Sequence, residues 1–184
     1  MKQIIKSRNI INDLSKVLES YHHDNLFVLT DENTNKNCYP LIADINKIRE
    51  SKKLVIPAND SNKNIENLTH VWKFLTNHGA TRHSMLINLG GGMVTDLGGF
   101  VAATFKRGID YINIPTTVLG SVDAAVGGKT GINFEGYKNE IGAFYPAKHV
   151  IISSEFLKTL DIDNIQSGYA EMVKMFTFHS CQRC

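Results

Sequence analysis

Apolar residues along this chain fall into short runs separated by polar, glycine-bearing stretches. The run at 25–30 (NLFVLT) predicts a buried strand. The polar segment at 31–35 predicts a loop, with a helix soon after. Residues 53–56 predict a second strand, ended by Pro57. Ile65, Leu68, Val71, Trp72 and Leu75 then recur at helical spacing, predicting a helix over 62–78 with Gly79 as its carboxy-terminal cap. The run at 84–89 (SMLINL) predicts a strand that passes through Gly90, Gly91 and Gly92 into a helix over 93–105. Strands over 111–114 and 149–152 and a helix over 165–178 complete the pattern. Strands alternating with helices, without hairpin turn signals, indicate an α/β fold with a mainly parallel sheet.

Composition narrows the class without changing it. The chain has 184 residues, 42% hydrophobic and 21% charged, which is enough to bury a core in one domain or one domain and the start of another. Twenty Lys and Arg against eighteen Asp and Glu give a net charge of +2 with no basic block, so nucleic acid is not an expected partner. The longest apolar runs are strand-sized, and Met1, Lys2 and Gln3 do not begin a signal peptide, so a cytoplasmic protein with no membrane partner is expected. Cys38, Cys181 and Cys184 form no stapling framework, in keeping with a reducing compartment.

Most of the chain's 14 glycines lie between Gly90 and Gly142, among Thr, Asp and Lys, the composition of functional loops. Glycines after a strand let a backbone approach a pyrophosphate, whose charge is attracted by the amides of the next helix. The alternative is a tight turn with close helix packing. A full dinucleotide fingerprint fails, because Gly90 and Gly92 match and Thr95 stands at the sixth position. VGGKT (126–130) resembles the end of a nucleotide-binding loop, but the required earlier glycine is Asp123, which leaves Lys129 as either an anion-binding group or a solvated charge. Glu171 and Lys174 stand three apart on a predicted helix and share a face. They read as a surface ion pair, or Glu171 is one ligand of a divalent metal whose other ligands the spacing does not supply. His179, Cys181 and Cys184 read as a tail rather than a metal cluster.

Together these segments resemble the amino-terminal half of a 3-dehydroquinate synthase. The resemblance is carried by GGGMVTDLGGFVAATFKRGI, IPTTVLGSVDAAVGGKTGIN, YKNEIGAFYPAKHVI, LKTL and SGYAEMVK, and it extends from about residue 31 to residue 174. It implies a Rossmann-like sheet with flanking helices over 1–160 and the start of a helical metal and substrate domain over 161–184. It also implies a lyase of the shikimate pathway that uses NAD without consuming it and employs a divalent metal, zinc or cobalt. The implied substrate is a small sugar phosphate, 3-deoxy-D-arabino-heptulosonate 7-phosphate, and the products are 3-dehydroquinate and phosphate. A homodimer is implied for the full-length form. Related sugar-phosphate cyclases share the scaffold, and a non-catalytic NAD-binding fragment is a further reading.

Carried over residue by residue, the resemblance assigns Asp31 and Asn33 to the adenosine end of NAD, and Asp60 and Lys63 to an acidic residue and lysine, with Asn59 replacing the family's glycine. Gly91, Gly92, Met93 and Asp96 match the pyrophosphate and nicotinamide-side loop, while Thr116, Thr117 and Thr159 match further cofactor contacts. Lys129 and Lys138 match lysines near NAD and substrate. Asn139 matches a substrate-side amide, Asp123 a carboxylate facing ring hydroxyls, Lys174 a substrate-binding lysine and Glu171 the first metal ligand. Family members continue past this point into the domain with two metal-binding histidines, whereas MFTFHSCQRC departs from their pattern, so a truncated chain, inactive alone, is expected.

Overall fold

The computed structural model describes residues 3–181. Met1 and Lys2, and the side chains of His179, Cys181 and Cys184, lie outside the described residues. In chain order the elements are β1 (Gln3–Ser7), α1 (Ile10–Glu19), β2 (Leu26–Asp31), α2 (Glu32–Asn37), α3 (Asn46–Arg49), β3 (Lys52–Ile56), α4 (Ile65–Asn77) and β4 (Met85–Gly90). They continue with α5 (Gly92–Thr104), β5 (Asp110–Pro115), α6 (Ala125–Gly127), β6 (Lys129–Phe134), β7 (Tyr137–Phe144), β8 (His149–Ser153) and α7 (Ile162–Cys181).

Six strands form one parallel sheet in the order β1-β8-β5-β4-β2-β3. Every residue of β2 and β4 is buried, because helices cover both faces and neither strand has a solvated side. Alternate side chains feed two cores. Phe27, Leu29, Leu86 and Tyr111 meet α4 and α5 on one face, while Leu26, Val28, Ile87 and Ile112 meet α1 and α3 on the other. The result is the expected Rossmann-like α/β sandwich.

Helix α5 is apolar nearly all round, since Val94, Leu97, Phe100, Val101 and Ala102 are all buried. Such a helix needs cover on both sides. The sheet covers one side, and the β6–β7 hairpin covers the other. Two adjacent glycines allow the fit. A Cβ on Gly98 would lie 2.0 Å from Asn88 Oδ1 in the sheet, and one on Gly99 would lie 2.4 Å from Thr130 Cγ2 in the hairpin. Asn88 is buried and donates through Nδ2 to Asn113 Oδ1 at 3.0 Å on the neighbouring strand.

The hairpin departs from the expectation of no hairpin turns. Its two-residue turn places Glu135 and Gly136 at φ 46° and 84°, both left-handed, as a type I′ turn requires. Its strand β7 is largely exposed, so no apolar alternation marks it. β1 and α1 lie outside the predicted elements, and the predicted loop at 31–35 is instead mostly α2. That helix starts directly because Asp31 caps it: Thr34 N donates to Asp31 Oδ1 at 2.8 Å, and Asp31 N donates to Thr34 Oγ1 at 3.0 Å.

Replacing Gly98 by Ala should destabilise the protein by about 2 kcal/mol, the usual cost of overpacking a rigid core. Urea unfolding followed by circular dichroism reads this, and an unchanged midpoint would show that Asn88 yields freely. On β8, between β1 and β5, buried His149 has Nε2 2.9 Å from Tyr21 Oη, and burial followed by the Lys148 charge lowers its pKa. The unfolded chain therefore takes up this proton first as pH falls, so stability is lost from about pH 6.5 downward. The decline in unfolding midpoint between about pH 7.5 and 5.5 should be shallower in His149→Gln than in the parent.

Candidate functional site

The outgoing connection of β2 leads to β3 on one side and that of β4 leads to β5 on the other, so the crevice between their carboxyl ends is a topological switch point. Asp31 ends β2, and Gly90 leads from β4 into α5. Gly91 is the N-cap of α5 and offers no side chain, so the first-turn amides of this 13-residue helix have no side-chain cap and present their partial positive charge to the crevice. A Cβ at Gly91 would come within 3.0 Å of Thr117 Cγ2, so glycine is what lets the two loops touch. Thr117 in turn accepts from Gly120 N at 3.0 Å through Oγ1, which fixes the loop after β5.

A groove of about 420 Å³ opens here, and Asp31, Asn33, Gly91, Thr116, Thr117 and Thr159 converge on it from four separate segments. All six are residues assigned to NAD by resemblance. Asp31 is nearly buried, and its capping role occupies Oδ1. The sequence reading missed Cys38, Phe156 and Asn164, which also line the groove. No motif marks them, because Cys38 follows α2, Phe156 lies in the helical turn after β8 and Asn164 starts α7, three places brought together only by the fold. Burial, then the neighbouring Asp31 charge, pushes the Cys38 thiol up to about 11 despite a hydrogen bond with Thr159, so it is held as a thiol and not as a nucleophile.

A second cleft, of about 410 Å³, lies between α5 and the hairpin and is lined by Asp96, Asp123, Lys129 and Asn139. Asp123 sits in a π-helical turn (Gly120–Ala124) that runs into α6, and Asn113 Nδ2 holds the Ala125 carbonyl at 3.3 Å. Beside the cleft lies a buried cation. Lys63 is 4% exposed, and its Nζ meets Asn139 Oδ1 at 2.5 Å, Asp96 Oδ2 at 3.1 Å and Asp60 Oδ1 at 3.7 Å. Lys138 Nζ closes the network on Asp60 Oδ2 at 3.1 Å.

These contacts set opposite titrations. Burial raises the Asp96 pKa, and the Lys63 charge and hydrogen bond offset this only in part, with Asp123 and Asp60 adding repulsion. Asp60 is less enclosed; burial pushes it up, but the hydrogen bond from Lys138 and the Lys63 charge hold it below the ordinary carboxylate value.

The remaining assigned residues stand apart from these clefts. Met93 lies in the first turn of α5 and packs on the core beneath it. Glu171 and Lys174 lie on α7, where Lys174 Nζ donates to Glu171 Oε1 at 3.2 Å. Among the described residues no three His, Cys, Asp or Glu side chains converge on a metal position. A carboxylate paired with an ammonium does not by itself hold a divalent ion, so the described residues do not fit a complete metal centre.

Residues 53–167, more than half of the chain, match the family model described as 3-dehydroquinate synthase N-terminal. The chain belongs to the 3-dehydroquinate synthase family. It is 54% identical over 173 residues to a 3-dehydroquinate synthase of Parabacteroides distasonis, covering 94% of this chain and 49% of the relative. It is 41% identical to one of Clostridium tetani, covering 89% and 45%. A solved structure of the 2-epi-5-epi-valiolone synthase ValA from Streptomyces hygroscopicus, with NAD+ and Zn2+ bound, superposes with a TM-score of 0.84 at 28% identity, covering 95% of this chain and 49% of that one. The chain thus spans about half the length of the curated relatives it matches. No helix among the described residues is long and apolar enough to cross a membrane.

Asn59, which by the resemblance replaces a glycine, adopts φ 84° and ψ 147°, a region essentially reserved for glycine. Asn59→Gly should therefore raise stability, by about 1 kcal/mol after the extra chain entropy of glycine is subtracted from the relieved strain. Chemical denaturation measures it, and a lower midpoint in the variant would show that Asn59 bears no strain.

Proposed function

We propose that this chain forms the NAD-binding half of a 3-dehydroquinate synthase, which converts 3-deoxy-D-arabino-heptulosonate 7-phosphate to 3-dehydroquinate and phosphate. The observation that supports it most is the convergence of six separately assigned residues on one groove at the uncapped start of α5. The groove fits a dinucleotide by its own chemistry. The first-turn amides of α5, which no side chain caps, would attract an anion, the glycine at 91 would admit it closely, and Asp31 Oδ2 is the carboxylate oxygen left over for a ribose hydroxyl.

Bound there, NAD would supply a hydride acceptor that returns the hydride within one turnover. The chain's own residues bind and orient. Asp31, Asn33 and Thr159 hold the adenosine end, and Thr116 and Thr117 back the pyrophosphate. Asp60, Lys63, Asp96 and Lys138 fix the nicotinamide side. Asp123 faces the ring hydroxyls of the sugar phosphate, with Lys129, Asn139 and Lys174 at its anionic oxygens. Glu171 would serve as one ligand of zinc or cobalt. By the resemblance the two histidine ligands belong to the family's second domain, so the chain alone is expected to be inactive. In this reading residues 161–184 begin the second, helical domain, the longer protein works as a homodimer in the cytoplasm, and the product feeds aromatic amino acid synthesis.

The likeness to ValA leaves a related cyclase as the second reading, and the 54% identity to a 3-dehydroquinate synthase favours the first. Calorimetric titration with NAD tests the cofactor site. Gly92→Asp sets a carboxylate against the helix start and should weaken binding about tenfold or more. Equal affinity in the two proteins would remove the pyrophosphate from that loop.

A further inference from the structure

The hairpin ladder carries an irregularity beside the cleft. Ile132 pairs with Ile141 and Phe134 with Tyr137, so Lys138, Asn139 and Glu140 span on β7 the gap that Asn133 alone spans on β6. Surplus residues break a ladder and leave its amides without their usual partners. Asn139 also takes a left-handed φ of 56°. Its N–H is claimed by a side chain, since Asn133 Oδ1 accepts from Asn139 N at 3.0 Å. The other groups of Asn133 bind the segment before α4. Nδ2 donates to the Asp60 carbonyl at 3.0 Å and to Asp60 Oδ2 at 3.3 Å, and the Asn133 backbone N–H donates to the Lys63 carbonyl at 2.7 Å.

We propose that Asn133 is a positioning residue that seats the bulged stretch Lys138–Asn139 of the hairpin against Asp60 and Lys63. One amide side chain has the acceptor for the bulge and the donor for the facing loop, and both are engaged. Two cross-links then depend on it: Lys138 to Asp60 and Lys63 to Asn139. Asn133 is not among the residues lining either cleft; it acts through those that surround Lys63. Alanine would leave the exposed Asn139 N–H to water and free the bulge to turn Lys138 away from the Asp60–Lys63 pair.

The consequence for the cofactor rests on the reading that Asp60, Lys63 and Lys138 meet NAD, and the test separates the two. In the NAD-free full chain, the Asn139 amide should exchange with solvent about tenfold faster in Asn133→Ala than in the parent, and at near the parental rate in Asn133→Asp, which keeps the acceptor. Asn133→Val gives the same comparison with bulk retained, should the alanine variant not fold. In NAD titrations Asn133→Ala should weaken binding about tenfold. Lys138→Ala should weaken it in the parent but add little in the Asn133→Ala background, a non-additivity that loss of general stability would not produce. Unchanged exchange at Asn139, or fully additive losses, would overturn the proposal. A parent chain that does not bind NAD would instead overturn the cofactor reading, with the exchange measurement still deciding the role of Asn133.

Discussion

Helix α5 approaches the sheet and the hairpin more closely than any side chain at positions 98 and 99 would permit, and the rest of the site hangs on that double contact. A helix wedged this tightly cannot slide or turn without driving backbone into Asn88 on one side or Thr130 on the other. Its first turn is therefore held at the end of β4, where its amides open on the groove. Asp96, one turn further in, is held in the wall of the second cleft. The hairpin sets Ile132 and Ala143 on the core while Phe134, Tyr137, Ile141 and Phe144 stay exposed, and it takes its place from the same contact. Loops usually trade position for adaptability; here the polar loops are gripped by one buried helix.

The second constraint is electrostatic. An ammonium as deeply buried as Lys63 would be prohibitive if unpaired, and the carboxylates of Asp96 and Asp60 with the Asn139 amide make it tolerable. The dependence runs both ways. Asp96 is enclosed and close to Asp123 and Asp60, and the Lys63 charge and hydrogen bond 3.1 Å away offset part of the burial that raises its pKa. The cation thus ties together α5, the segment before α4 and the hairpin, three pieces of chain far apart in sequence.

The strands that build the sheet core were legible because burial on both faces leaves uninterrupted apolar runs, as at β2 and β4. The cap of α4 was legible in Gly79, which takes φ 75°. The hairpin was not, because β7 is mostly exposed and its turn, Glu135–Gly136, lacks the Asn or Asp that usually announces a type I′ turn. For the site, residue spacing pointed to a phosphate-seeking glycine loop and left Lys129 and Glu171 with two readings each; the family likeness supplied the remaining residues, and the fold then gathers most of the assigned ones into two clefts. What neither could show was connectivity. Nothing in the order of residues says that Lys63 is buried, or that Asn133 joins it to the hairpin, because those are facts of long-range packing.

The charges around the second cleft bear on what it can do. Asp60, Asp96 and Asp123 stand against Lys63, Lys129 and Lys138, an even balance, and Asp60 and Asp96 are already paired with lysines. A surface so balanced exerts little net pull on an anionic phosphate. Its strength lies in direction, since Asp60, Lys63, Asp96, Lys138 and Asn139 are fixed by one another before any ligand arrives and lose little freedom on binding. In the proposed reaction this half of the site would orient a dinucleotide and the hydroxyls of a sugar. Neutralising the phosphate and carboxylate of the substrate would fall to cations other than those already bound to Asp60 and Asp96.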